Sequence, residues 1–219
     1  MTKKESTINN YFWSDFSKIY KNPELIDNYL IKNSDLIEKT ITNSFVELEL
    51  NRNYSIYANG GFGKKEMFPS SDIDISIVEN NNFKEDKVNL EIFITKLWDL
   101  GFQVGHSVRS IKDIKNISKN DLKEFTSYLS RRVLISNPEI DIKISKVLNN
   151  IWSKKNFFTA KSLEQEERYS SYHSTEFNLE PDLKESPGCM RDFQTSLFFQ
   201  SHHLHKLNNF DSILALQSS

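Results

Sequence analysis

The sequence feature that most restricts the fold is the stretch over residues 59–78, NGGFGKKEMFPSSDIDISIV. It begins with a glycine-rich turn and ends in a short apolar run that carries Asp72 and Asp74. Because side chains alternate between the two faces of a strand, the pair is expected to share one face. The opposite face would carry core residues: Ile73, Ile75 and Ile77. The stretch therefore predicts a half-buried strand that presents two neighbouring carboxylates beside a turn.

The two carboxylates have the chemistry of a Mg²⁺ site. Adjacent carboxylates repel each other unless a cation lies between them, and oxygen ligands suit Mg²⁺. Upstream, Gly60, Gly61 and Gly63 let backbone amides approach a phosphate closely. The simpler interpretation is a tight turn followed by a solvated strand face. The combination of both elements instead favours phosphoryl or nucleotidyl transfer.

Composition narrows the class of protein. The 219 residues carry a formal net charge of −2, which gives no general affinity for nucleic acid. A single cysteine, Cys189, excludes an internal disulfide and suits a reducing compartment. No apolar run approaches the length of a membrane span. We therefore expect a cytoplasmic protein with neither a nucleic acid nor a membrane as partner.

Periodicity predicts helices and strands in an α+β chain. The predicted strands are 54–58, 72–78 and 102–109; the predicted helices are 9–50, 88–101, 121–134, 140–152, 157–172 and one that starts near Gly188. The apolar stripe of the first helix is assigned to Ile8, Phe12, Phe16, Ile19, Tyr20, Leu25, Tyr29, Leu36, Thr40 and Phe45. Three segments follow: an N-terminal helical segment (1–50), a core (51–136) and a C-terminal helical segment (137–219).

A second informative stretch covers residues 172–195, YHSTEFNLEPDLKESPGCMRDFQT. It predicts a loop with two prolines that leads into a helix. Lys184 and Arg191 could reach an anion near the start of that helix, whereas Asp192 could equally serve the helix dipole. Further upstream, the adjacent Arg131 and Arg132 are interpreted as a solvated face, with a face close to phosphate as the alternative.

These stretches resemble a known family. The Gly-Gly, spacer, Asp-x-Asp pattern is similar to the signature of the polymerase-β-like nucleotidyltransferase superfamily. Together with LWDLGFQVGHSVRS (97–110) and the second stretch, it resembles the N-terminal part of the bacterial bifunctional PII uridylyltransferase/uridylyl-removing enzyme, in the same order over about residues 54–200. The resemblance implies a polymerase-β-like core, a small mixed sheet with helices, flanked by N- and C-terminal helical segments.

The resemblance also implies the reaction and its residues. UTP would be the donor, a tyrosine of the signalling protein PII the acceptor, and pyrophosphate the leaving group. Asp72 and Asp74 would be catalytic and hold Mg²⁺. The implied nucleotide-binding residues are Gly60, Gly61, Lys64, Lys65, Ser71, Lys184 and Arg191.

The resemblance leaves the third metal ligand open. Relatives in the superfamily often have a third carboxylate on the third strand, and none is present here. His106 matches that role in position but not in chemistry, and Asp99, at the end of the preceding helix, is a doubtful substitute.

The chain departs from the family pattern at several positions. Lys64 and Lys65 replace Arg-Gly, Cys189 and Met190 replace Gly-Leu, and Gln103 stands where relatives often have Glu. A side chain at position 65 or 189 would strain the backbone if glycine were needed there for positive φ.

Length is the larger departure from the family. The uridylyl-removing and glutamine-sensing domains of the family have no counterpart in the sequence, and His202, His203 and His205 are interpreted as an ordinary helix face. We expect a fragment, a truncated gene product or a reduced relative. Two alternatives remain: a stand-alone nucleotidyltransferase with another acceptor, and a non-catalytic protein that binds nucleotide or PII.

Overall fold

The computed structural model describes residue 16 and residues 18–50, 53–80, 86–171 and 182–205, with the backbone alone at 203–205. The predicted start of the first helix near residue 9, most of the second informative stretch (172–181) and the last residues of the chain lie outside these ranges.

The described chain alternates helices with short strands. The order is α1 (Pro23–Glu47), β1 (Tyr54–Ala58), α2 (Gly60–Gly63), β2 (Ile73–Glu79), α3 (Lys87–Asp99), β3 (Val104–Ser110), α4 (Ile111–Asn120), α5 (Leu122–Leu129), β4 (Arg132–Ile135), α6 (Pro138–Ile151), α7 (Lys154–Ser171) and α8 (Met190–His205). The first helix starts at a proline, and the side chain of Asn22 caps it by accepting from the Glu24 amide at 3.2 Å. The predicted α+β class is confirmed.

The four strands within the described ranges form one mixed sheet in the order β3-β2-β1-β4. The β2 and β3 strands are parallel, because α3 carries the chain back across the sheet between them, and the other pairs are antiparallel. The register places Asp74 beside Gly105 and Ile75 beside His106. One sheet face therefore carries Asp74, and the other carries the isoleucines.

The isoleucine face of the sheet packs against α1 and α3. Ile73, Ile75 and Ile77 are buried, as the alternation predicts. They join a core cluster that includes Phe45 of α1 and Phe93 of α3, whose rings meet edge to face at 5.0 Å. This core fixes the strand that carries the two aspartates.

The predicted apolar stripe of α1 is wrong in part. Leu25 and Leu36 are 46% and 52% exposed, and the helix buries Ile37 and Ile41 instead. The buried face also contains small polar residues: Asn33, Ser34 and Ser44. Ser34 is tolerated there because its hydroxyl donates to the Leu30 carbonyl at 2.8 Å. Because these buried residues are polar, apolar spacing alone does not identify the buried face of α1.

The predicted helix 121–134 is also wrong beyond Leu129. The chain turns there and continues as β4, which pairs with β1 through Ala58–Arg132 and Tyr57–Val133. The four-residue spacing of Leu129 and Val133 fits a helix, but the free edge of β1 offers strand hydrogen bonds. Tertiary pairing thus overrides the local pattern.

The described chain divides into two compact units. The first comprises Met1–Ile114 and Ser130–Ser145 and contains the sheet; the second comprises Lys115–Leu129 and Lys146–Ser219. In the second unit, His202 is buried and its ring stacks on Phe157 at 4.5 Å. The three-segment division of the sequence stays a prediction. None of the helices in the described ranges is long and apolar enough to cross a bilayer.

Candidate active site

Asp72 and Asp74, the acidic pair, lie at the start of β2. Asp74 is the second residue of the strand and Asp72 immediately precedes it, so both project from the face opposite the core. The amide of Ile73 between them donates to the Gln103 carbonyl at 2.8 Å, which fixes this end of the strand against β3. Both aspartates are exposed, and neither forms an ion pair with another described residue.

The carboxylate of Asp74 lies between two glycines. A Cβ placed on Gly105 would be 2.6 Å from Asp74 Oδ1, and a Cβ placed on Gly60 would be 3.0 Å from Asp74 Oδ2. Gly60 also has a positive φ of 56°, which other residues rarely adopt. The absence of side chains at these two positions makes room for the carboxylate.

The electrostatics of the acidic pair suit a divalent cation. Partial burial, and then the negative charge of Asp72, raise the pKa of Asp74. A cation between the two carboxylates would remove this repulsion. Within the described ranges no cluster of three or more His, Cys, Asp or Glu side chains could hold a metal. Two carboxylates are nevertheless a common protein share of a Mg²⁺ site, since water and substrate phosphates complete the coordination.

The glycine turn, residues Asn59–Gly63, is built by backbone hydrogen bonds beside the acidic pair. The Asn59 amide donates to the Asp74 carbonyl at 2.9 Å, and the Gly63 amide donates to the Asn59 carbonyl at 2.8 Å. A Cβ on Gly63 would lie only 2.9 Å from the Ala58 carbonyl oxygen, so the chain can fold back this tightly only with glycine. The first amides of α2 have no acceptor within the helix.

Arg132 supports the glycine turn from β4. Its guanidinium donates to the carbonyls of Gly63 at 2.9 Å and Phe62 at 3.1 Å, and it pairs with Glu38 of α1 at 2.6 Å. Its neighbour Arg131 is buried, with its guanidinium 5.2 Å from the centre of the Tyr57 ring. The prediction of a solvated arginine face is therefore wrong. The contact between Arg132 and the glycine turn could not be predicted from a local sequence pattern, because the partners of Arg132 are far away in sequence.

The two lysines after the turn differ in their surroundings. Lys64 is exposed and forms no ion pair with the described residues, whereas Lys65 pairs with Asp35 at 2.8 Å. Lys65 also has a φ of 61°, so the backbone does take the conformation that favours glycine at this position. At the other departure Gly188 has a φ of 79°, and Cys189 is not among the described residues with positive φ. The replacement of the family's glycine by Lys65 therefore strains the backbone, whereas its replacement by Cys189 does not.

Ser71 lies immediately before the acidic pair. Its amide donates to the Phe68 carbonyl at 3.1 Å, which closes the segment leading into β2. Its role in nucleotide binding stays a prediction.

His106 does not face the acidic pair. It lies beside Ile75 in the parallel register, hence on the opposite side of the sheet from Asp74, and its ring packs against Trp98 at 5.8 Å. Its predicted position is therefore wrong, because the strand register is not visible in the sequence. Asp99 is the exposed last residue of α3. The residue that the register places beside Asp72 is the exposed Gln103.

Lys184 and Arg191 belong to the second compact unit. Lys184 is exposed in the turn before α8, and its amide donates to Asp182 at 2.8 Å. Arg191 lies in the first turn of α8 and pairs with Glu185 at 2.9 Å. Their contact with a nucleotide stays a prediction.

Asp192 has a structural role in the second unit. Its carboxylate accepts from the Gly188 amide at 2.6 Å, from the side chain of Gln165 at 3.0 Å, and from Tyr169 and Arg168. These bonds hold the turn before α8 against α7. Asp192, in the first turn of α8, therefore stabilises the local packing of α7 and α8.

Comparison with known sequences identifies the class of protein. The profile described as "Nucleotidyltransferase domain" matches residues 38–158, which include the whole sheet, the glycine turn and the acidic pair. The chain belongs to this nucleotidyltransferase family. A second profile, described as "GlnD PII-uridylyltransferase", matches residues 156–218.

The more particular resemblance is to bifunctional uridylyltransferase/uridylyl-removing enzymes. The chain is 40% identical to the one from Haemophilus influenzae (strain PittEE) over 185 residues, 82% of the chain and 21% of the relative. It is 33% identical to the one from Acinetobacter baylyi over 199 residues, 90% of the chain and 22% of the relative. The resemblance predicted from the motifs is confirmed. The chain spans about a fifth of the length of these curated relatives.

Proposed function

We propose that this chain transfers a uridylyl group from UTP to a tyrosine hydroxyl of the signalling protein PII, with Mg²⁺ and release of pyrophosphate. The descriptions of the matching relatives and profiles support uridylyl transfer and PII. The observation that carries the proposal is the placement of Asp74, whose carboxylate lies between two glycines, next to the glycine turn and without a cationic partner in the described chain.

The residues around the acidic pair would each contact a different part of the bound metal and nucleotide. Asp72 and Asp74 would hold Mg²⁺, which when bound neutralises phosphate charge and draws the triphosphate to the strand end. The backbone amides of Gly60 and Gly61 would donate hydrogen bonds to phosphate oxygens, and Lys64 would add positive charge. Further candidate contacts in the same compact unit are Lys65 and Ser71. Of the two adjacent lysines, Lys64 is the stronger candidate, since Asp35 already pairs with Lys65.

The reaction itself requires positioning rather than protein acid–base chemistry. The tyrosine oxygen would form a bond to the α-phosphorus while the bond from that phosphorus to the bridging oxygen breaks. The pyrophosphate leaves with the electron pair, and the phenolic proton passes to solvent. The chain contributes by holding the phosphates in line and by concentrating charge near them.

Transfer of radiolabel from UTP to PII tests the proposal. The chain is incubated with Mg²⁺, PII and UTP labelled at the α-phosphate, with ATP and CTP in parallel. We expect label on PII from UTP, and we expect Asp74→Asn to abolish it without unfolding the chain. Asp27→Asn, which removes an exposed carboxylate of α1, is the matched control. Label on another acceptor, or transfer by Asp74→Asn at the wild-type rate, would contradict the proposal.

A second candidate is nucleotide binding without transfer. Two observations favour it: the described site has only two carboxylates, and the backbone at Lys65 is strained. Calorimetry with Mg²⁺ and UTP would show binding under either function, so turnover separates them. A chain that binds UTP but transfers no label to any acceptor would support this second function.

A further inference from the structure

Asn59 lies directly beside Asp74 in the sheet, on the side opposite Gly105. Its backbone amide donates to the Asp74 carbonyl at 2.9 Å. Its side-chain amide donates through Nδ2 to the hydroxyl of Ser76 at 2.6 Å. Ser76 follows Asp74 by two residues and shares its face, and the register pairs it with Ser107 of β3. The hydroxyl of Ser107 donates to that of Ser76 at 3.3 Å. Asn59, Ser76 and Ser107 thus form an amide–hydroxyl cluster next to the acidic pair.

One arm of the Asn59 amide is unsatisfied. The residue is 6% exposed, and its Oδ1 is buried without a hydrogen-bond partner among the described residues. Although Asn59 precedes α2, its side chain does not cap that helix. Buried polar atoms in native proteins are nearly always paired, so an unpaired acceptor inside a candidate active site calls for a ligand donor.

We propose that this amide–hydroxyl cluster binds the ribose hydroxyls of the nucleotide. The inference rests on the proposed function, which places the phosphates at the acidic pair. The ribose is bonded to the α-phosphate, so it must lie within one sugar length of Asp74. A sugar hydroxyl can donate to the unpaired Oδ1 and accept from a serine hydroxyl. Ser107 is half-buried and belongs to an edge strand, so it can meet the sugar directly.

A nucleobase could use the same acceptor, because the imide N–H of uracil is also a donor. The bare face around Asp74 favours the sugar. Gly105 and Gly60 leave no side chain on either side of the carboxylate, which suits the part of the nucleotide attached to the phosphates. The test therefore includes ligands that differ only in the sugar and one that differs in the base.

Calorimetric titration of the whole chain with Mg²⁺ and nucleotide, without an acceptor protein, tests the inference. The ligands are UTP, 2′-deoxy-UTP, 3′-deoxy-UTP and CTP. We expect the wild type to bind UTP about five- to tenfold more tightly than at least one deoxy analogue, the range expected for one lost hydrogen bond. Asn59→Ala and Ser107→Ala should each bind UTP and that analogue equally. Asn80→Ala, at the far end of β2, is the control and should keep the wild-type preference.

The outcomes separate the two proposals. If the wild type does not bind UTP at all, the proposed function fails, and the ribose site fails with it. If it binds UTP but shows no preference over either deoxy analogue, only the ribose site is overturned. The ribose site is also overturned if Asn59→Ala still prefers UTP over the deoxy analogue. It is overturned likewise if Asn59→Ala loses the discrimination between UTP and CTP rather than that between UTP and the deoxy analogue. Should Asn59→Ala not fold, the half-buried Ser107→Ala gives the decisive comparison.

Discussion

The carboxylate of Asp74 occupies the space that a side chain at position 105 would need. An ideal Cβ on Gly105 would lie 2.6 Å from Asp74 Oδ1, closer than non-bonded atoms tolerate. Position 105 belongs to β3, which is an edge strand of the sheet formed by the described residues. A methyl group at position 105 would therefore displace the Asp74 carboxylate and leave the packing of the core unchanged.

We expect Gly105→Ala to weaken the proposed metal site while leaving the fold stable. The atom that must move is the end of a flexible side chain, so the free energy of unfolding should change by less than about 1 kcal/mol. The displaced carboxylate should lower uridylyl transfer by about ten- to a hundredfold, as expected for a reacting group shifted by a fraction of an ångström to an ångström. Denaturant unfolding and the transfer assay measure the two effects.

The control for Gly105→Ala is Val108→Ala. Val108 lies on the same edge strand, is 42% exposed and faces the other side of the sheet. Its truncation should alter neither quantity appreciably. Equal transfer by Gly105→Ala and the wild type would show that the close approach to Asp74 has no functional consequence.

Asp74→Asn should stabilise the chain in the absence of metal at neutral pH. Burial and Asp72 raise the pKa of Asp74 above its unfolded value, so the folded chain binds more protons than the unfolded chain as pH falls through the folded pKa. The destabilising effect of the charge is thus fully present above that pKa and disappears below the unfolded pKa. We expect a gain of no more than about 1 kcal/mol, because solvent screens the exposed carboxylate.

Urea unfolding of both proteins between about pH 3 and pH 8 checks the sign of this effect. The stability difference should be largest at the alkaline end and vanish at the acidic end. The Asp27→Asn control should show no gain of this kind. A difference that grew toward acid would contradict the raised pKa.

Gln103→Glu should tighten divalent-cation binding. Gln103 is exposed, and its carbonyl accepts from the Ile73 amide, which places the residue beside Asp72. A third carboxylate there would add Coulomb attraction for Mn²⁺, a spectroscopically visible substitute for Mg²⁺. We expect a several-fold gain in affinity, on the order of 1 kcal/mol.

Titration of Mn²⁺ followed by electron paramagnetic resonance measures that affinity. Gln103→Ala removes the amide without adding charge and should give no gain. If Gln103→Glu binds Mn²⁺ no better than Gln103→Ala does, position 103 does not border the proposed metal site.

Lys65→Gly should be more stable than Lys65→Ala by about 1 kcal/mol, because the φ of 61° strains any residue with a Cβ. Both variants lose the exposed ion pair with Asp35, so the comparison isolates the backbone. Lys64, with a φ of −88°, provides the matched control, and there the glycine variant should be the less stable of the two. Thermal unfolding of the four variants measures the difference. The same order at both positions would contradict a strained backbone at 65.

Local sequence patterns predicted much of the candidate site. The glycine turn, the strand with Ile73, Ile75 and Ile77 in the core, and the aspartates on its other face all depend on neighbours within a few residues. Alternation and glycine spacing encode such features directly. The bounds of β1, Tyr54–Ala58, agree with the predicted 54–58 for the same reason.

Features that depend on distant partners could not be predicted in this way. The strand register decides that His106 faces away from Asp74, and no local pattern encodes it. The free edge of β1 turns Arg132–Ile135 into a strand although their spacing suits a helix. The α1 helix buries serine and asparagine beside isoleucine, which the apolar count cannot show. Asn59 was missed because an asparagine before glycines is ordinary turn chemistry.

The support of the glycine turn by Arg132 also sets an order of assembly during synthesis. Arg132 follows Gly63 by 69 positions, so a nascent chain can emerge from the ribosome with the complete turn and acidic pair but without the guanidinium that binds the turn's carbonyls. Strand β4, which carries that arginine, must then add to the exposed edge of β1. The end of the sheet that carries the acidic pair can therefore take its final shape only after translation has passed β4.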